Sequence, residues 1–149
     1  MLDTNVLTDL IMMREPWAEA AMGLIDASQR RACELLVSAL ALKDASYIVE
    51  ESKYAKRRIP DRSKRREIAF KGRELMLSTC EICNINEIIC RRANANRNEP
   101  DYDDALVAEC ALVNGANAIV SRDKRAFNEL EIPKLSPIDA LKLVRASSR

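Results

Sequence analysis

The chain contains no histidine. That absence excludes Ser/His/Asp and Cys/His nucleophile arrangements, imidazole acid–base catalysis and most zinc centres. Carboxylates, lysines or a metal ion are what remains for catalysis. Glycine (3) and proline (5) are scarce, and aromatic residues make up only 4%. So few turn signals and so few large flat side chains argue against an all-β sandwich or barrel and for a helix-rich fold. No apolar run approaches the roughly 18 to 20 residues needed to cross a bilayer, and no basic segment followed by an apolar stretch opens the chain. Neither a membrane span nor an export signal of the usual kind is expected. The five cysteines, Cys33, Cys80, Cys83, Cys90 and Cys110, are odd in number and lack the spacing of a disulfide scaffold. That usage suits free thiols in the core and a reducing, cytoplasmic setting.

What is present is enough for one core. A length of 149 residues, 48% of them apolar and 32% charged, predicts a single folded domain over 1–149. The net charge of +1 hides an asymmetry. From Lys53 to Arg73 ten basic residues face two acidic ones, giving +8, so the remainder carries −7. A binder of an anionic polymer that also carries an acidic site has this pattern, and so does a solvated helix hairpin.

Periodicity and breakers predict strands alternating with helices. Met1 to Asp3 reads as a strand fragment, followed by an apolar helix over about 5–13 with Met12 and Met13 as core. Pro16 opens an amphipathic helix toward Arg31. Leu35 to Ser38 is a strand, then a helix spans about 39–58, and Pro60 breaks it before a second basic helix. Cys80 to Ile85 is a strand and Asn86 to Asn96 a helix. Tyr102 to Val113 is apolar nearly all round and should be buried, with Gly115 as its stop. Ala118 to Ser121 is a strand, Asp123 to Leu130 a short helix, Lys134 to Leu135 a last strand, and Ser136 caps a final helix. The alternation implies an α/β fold with a parallel sheet between helix layers, where ligands bind beyond the carboxyl ends of the strands.

Four acids fall at that edge. Asp3 ends the first strand, Asp44 lies within two turns of Ser38, Asp104 opens the apolar helix, and Asp123 follows the strand ending at Ser121. Asp104 shares a helix face with Val107, Ala108 and Ala111, which aims its carboxylate along the buried side. Converging carboxylates repel unless a cation joins them, and an all-oxygen set suits Mg²⁺ or Mn²⁺. Such an ion can make water a nucleophile and stabilise charge on phosphorus, so the set suits phosphodiester hydrolysis without histidine. Helix-start chemistry competes for part of this pattern: Asp101 fits an N-cap with Asp104 three residues on, and Asp3 or Asp123 taken singly reads as a cap or turn. Cys80-Glu81-Ile82-Cys83 has CxxC spacing but no second pair beside it, and reads as core packing.

Leu2-Asp3-Thr4-Asn5-Val6-Leu7 resembles the opening motif of the PIN (PilT N-terminal) domain family. Ser38 to Asp44 is similar to its second acidic motif, and Asp101-Tyr102-Asp103-Asp104-Ala105-Leu106 and Ile119-Val120-Ser121-Arg122-Asp123 resemble its third and fourth. The resemblance covers nearly the whole chain. It implies a three-layer α/β/α sandwich with a central parallel sheet, and Mg²⁺- or Mn²⁺-dependent endoribonuclease activity, as in the toxins of VapBC-type toxin–antitoxin pairs. It further implies Asp3, Asp44, Asp104 and Asp123 as catalytic metal ligands, with Asn5, Ser121 and Asp101 supporting them. Arg57, Arg58, Arg65 and Arg66 are then expected to hold RNA. The implied partners are RNA and an antitoxin protein, with a homodimer left open. Two departures stand out: Asp44 occupies a place where Glu is common, so its shorter arm would reach a metal through water, and only two residues precede Asp3. The latter predicts a short central strand or a start assigned too late. A PIN-like module that binds RNA or protein without cleaving is the alternative. A haloacid-dehalogenase-like phosphatase would want a second Asp two residues after Asp3, where Asn5 stands.

Overall fold

In the computed structural model, which describes residues 1–147, the elements run α1 (Thr4–Ile11), α2 (Trp17–Gln29), β1 (Leu36–Ser38), α3 (Ala39–Glu51), α4 (Lys53–Arg58), α5 (Arg62–Thr79), β2 (Glu81–Cys83), α6 (Glu87–Ala95), α7 (Tyr102–Val113), β3 (Ile119–Val120), β4 (Lys134–Leu135) and α8 (Pro137–Ser147). β1 pairs with β2 and β3 with β4, both in parallel. The first three residues join the halves: Leu2 N–H donates to the Leu36 carbonyl, Val120 N–H to Met1 and Asp3 N–H to Val120. The spatial order is therefore β2, β1, residues 1–3, β3, β4. The centre is the shortest piece, a single bridge between Leu2 and Val120.

Side chains alternate across this sheet as strand geometry demands. Leu2, Val37 and Val120 face one core with residues of α1, α2, α3, α5 and α8, whereas Met1, Leu36, Cys83 and Ile119 face the other with α6 and α7. Helix pairs α1·α2, α1·α3, α3·α5 and α2·α8 form one layer and α6·α7 the opposite one. The fold is thus the helix-rich α/β/α arrangement expected. Cys80 packs with the first core and Cys83 with the second, so the CxxC pair is divided between the two faces of the sheet.

Three local expectations need correction. The helix expected over 39–58 breaks at Ser52, whose backbone is extended and whose hydroxyl accepts from Ala55 N–H to start α4 afresh. No helix forms over 123–130. Asp123 Oδ1 instead accepts from the N–H groups of Arg125 and Ala126, and Lys134 Nζ takes the carbonyls of Asp123 and Ala126. The Asp123 bonds alone are those of a helix cap, but the Lys134 bonds occupy carbonyls that helical pairing would use. Met13, at φ 52, is exposed, and so are Leu112 and Val113 near the end of α7. Gly115 stops α7 at φ +66, its N–H bonding to Leu112 and that of Ala116 to Ala111, the paired closure that a left-handed residue permits.

Candidate active site

The order of the sheet reverses between residues 1–3 and β3, the kind of place where open parallel sheets hold ligands. Asp3 stands there as the N-cap of α1, Oδ1 accepting from Thr4 N–H at 2.6 Å. Its other oxygen accepts from Ser121 Oγ at 2.7 Å and from Asn5 Nδ2. Asn5 Nδ2 also donates to Ser121 Oγ at 3.0 Å, and its Oδ1 accepts from Arg122 N–H. Ser121 Oγ in turn accepts from Asp123 N–H. Asn5 and Ser121 therefore tie the end of the central segment to the end of β3 and fix the Asp3 carboxylate by neutral donors alone.

A cleft of about 450 Å³ opens beside Asp3. Asp44, from the second turn of α3, and Asp101, Asp103 and Asp104, from the start of α7, share its walls with Asp3, Asn5 and Tyr47. Asp101 caps α7, accepting from Asp104 N–H at 2.9 Å, so the capping reading of Asp101 holds while Asp104 keeps its own carboxylate free of that task. Asp44 is tied to Lys43 Nζ at 2.7 Å. Asp123 does not line the cleft. It is occupied with its own turn, yet its charge reaches both Asp3 and Asp104.

Electrostatics unite the set more than contact does. Burial raises the Asp104 carboxyl to about 7, and the charges of Asp101, Asp3, Asp123 and Glu99 push it the same way. Burial also raises Asp3, against the hydrogen bonds from Ser121 and Thr4. Asp123 is held below its usual range by the N–H groups of Arg125 and Ala126. One edge thus carries a carboxyl raised to about 7 because it is removed from water and other acids crowd it. Among the described residues no three Asp, Glu, Cys or His side chains stand close enough together to hold an ion as they are. The chemistry of the donors fits a hard divalent cation, all being oxygen and mutually repelling.

Of the arginines expected to hold RNA, Arg65 is a correction. It is 4% exposed, with Nε donating to the Glu50 carbonyl at 2.7 Å and Nη1 to those of Ile59 and Pro60 at 2.8 and 2.7 Å. It closes the ends of α3 and α4 from inside. The signal was its spacing: Arg65, Ala69, Gly72 and Met76 are the buried residues of α5 and form one helical stripe. Arg57, Arg58 and Arg66 are exposed. Arg66 lies 3.9 Å from Glu50, and Arg58 Nη1 donates to Tyr54 Oη at 3.0 Å.

The reading of motifs passed over Asp9, Arg14 and Glu99. Asp9 is fully buried in α1 and paired with Arg122 Nε at 2.5 Å and Arg14 Nη1 at 3.3 Å. An acid inside an otherwise apolar helix was the available sign. Glu99 is buried and accepts from Phe127 N–H through Oε2. Nothing in its neighbours along the chain signals that bond.

Comparison with known families agrees with this geometry. The sequence model of the PIN domain matches residues 1–125. The chain belongs to the PIN domain family, whose members are generally nucleases. No curated protein matches it. No helix among the described residues is long and apolar enough to cross a membrane.

Proposed function

We propose that the protein is a divalent-metal-dependent endoribonuclease that hydrolyses RNA phosphodiester bonds at the cleft beside Asp3, and that it serves as the toxin of a toxin–antitoxin pair in the cytoplasm. The observation that carries the catalytic reading is the Asp104 carboxyl, raised to about 7 by burial at an edge where Asp101, Asp3 and Asp123 add like charge. Mg²⁺ or Mn²⁺ held by Asp3, Asp104 and Asp123, with Asp44 acting through water, would activate the attacking water and stabilise the charge developing on phosphorus. The toxin role rests on the likeness of the four motifs alone.

The chain's own residues do the rest. Asn5 and Ser121 hold Asp3 in one orientation on the wall of the cleft, which lowers the side-chain entropy lost on binding. Asp104 would hold a cation only in its ionised form, so occupancy would depend on pH. Arg57, Arg58 and Arg66 supply cationic surface for the strand.

A PIN-like module that binds without cleaving is favoured by one observation, the lack of a ready-made three-ligand cluster among the described residues. Cleavage of a fluorophore-quencher RNA in Mn²⁺, by wild type and by Asp104→Asn, decides between them. The expected result is turnover by wild type and a loss of at least about a hundredfold in the folded variant. No turnover by wild type in any divalent ion would favour the binding module.

A further inference from the structure

A second cavity, of about 490 Å³, lies on the far side of the guanidinium groups of Arg14 and Arg122, which line it and the acidic cleft alike. Its walls also carry Asp9, Glu15, Tyr54 and Arg58. Asp9, with no exposure, is the fixed point: Arg122 meets it through Nε and Nη2, and Arg14 through Nη1. One carboxylate thus anchors two guanidinium groups, and with Arg58 and Glu15 on the same walls three cationic groups stand against two acidic ones. Arg14 Nε is buried without a hydrogen-bond partner. Its guanidinium lies 4.1 Å from the centre of the Tyr54 ring, and the phenol of Tyr54 accepts from Arg58 at 3.0 Å. Asp9 and Tyr54 therefore hold three arginines from three elements around one hollow, in fixed poses.

We infer that this hollow, built by Arg14, Arg58 and Arg122 on Asp9 and Tyr54, takes a phosphate of the RNA strand outside the acidic cleft. The inference rests on the endoribonuclease reading and deepens it. Pre-oriented guanidinium groups match the oxygens of a phosphodiester. The acidic cleft repels the strand until a cation is present, so a phosphate held next door keeps the strand in place beside carboxylates. Asp9 acts here as a positioning residue and touches no substrate.

The test is the salt dependence of binding of a fluorescein-labelled oligouridylate, measured by anisotropy in EDTA so that nothing is cleaved. Arg58→Gln changes an exposed side chain and leaves the fold intact, and Arg14→Gln removes the orphaned donor. Each variant should weaken binding several-fold and reduce the slope of log affinity against log salt by about 0.7, the share of one single-strand phosphate. Arg91→Gln, on α6 across the sheet, should leave the slope unchanged. Wild-type slopes in both Arg14 and Arg58 variants would overturn the inference while the nuclease reading stands on its cleavage assay, and would leave the hollow to an acidic partner protein. Failure of the wild type to bind RNA at all would remove the endoribonuclease reading and this inference with it.

Discussion

Two buried carboxylates of α1 are treated in opposite ways. Asp9, at 0% exposure, has two guanidinium partners, whereas Asp3, at 5%, is met only by an amide, a hydroxyl and a backbone N–H, with Asp104 and Asp123 in its field. Burying a charge is costly without a counter-ion, so each carboxylate needs one. The chain supplies it for Asp9 from Arg14 and Arg122. Asp44 has Lys43 at 2.7 Å, but among the described residues Asp3, Asp104 and Asp123 have no ion-pair partner at contact distance, which is the arrangement expected of a place kept for a cation from solution. Electroneutrality built in fits Asp9 to structural support, and electroneutrality withheld is what the proposed cation site at the Asp3 edge requires.

Substitution should reverse sign between the two places. Asp9→Asn leaves two guanidinium groups without their acid and should destabilise the metal-free protein. Loss of one member of a buried pair costs about 3 to 5 kcal/mol, and water reaching the partly exposed Arg14 and Arg122 lowers this to about 2. Asp104→Asn removes repulsion and should leave the metal-free protein as stable as wild type or more so. Urea unfolding of both variants in EDTA checks the pair, and destabilisation by Asp104→Asn comparable to that of Asp9→Asn would erase the distinction.

A smaller effect follows in pH. The Asp104 carboxyl rises from 3.8 to about 7 in the folded chain, so between those values the native state binds a proton that the unfolded state has released. Its contribution must then make the metal-free protein less stable as pH rises from about 4 to about 7, with no further change above. Stability curves of wild type and Asp104→Asn in EDTA should differ by that decline alone. A constant difference across the range would place the proton elsewhere.

The sequence made the edge legible because it is built from chain-local facts: an acid at the end of each of two strands, one at a helix start, and the alternation that makes a parallel sheet. Asp3, Asn5, Ser121 and Asp104 lie where motif and topology put them. Arg65 was misplaced because a count of charge says nothing about which face of α5 each charge occupies. The lack of a helix after Asp123 has no local sign, because Glu99 and Lys134, which lie outside that segment, capture the Phe127 N–H and the carbonyls of Asp123 and Ala126 that a helix would use. Asp9 stands out as an acid within α1, but its pairing does not, since one of its two partners, Arg122, is 113 residues away in sequence.

The most direct measurement of the central claim is thermal melting with and without Mn²⁺ above pH 7, where Asp104 is ionised, on wild type and on the Asp3→Asn, Asp123→Asn double variant. A cation that binds only the folded protein at the acidic edge adds about 2.7 kcal/mol at a hundredfold excess over its dissociation constant. Wild type should gain melting temperature and the double variant little. Equal gains in both proteins, or none in wild type, would contradict the assignment of this edge as a cation site.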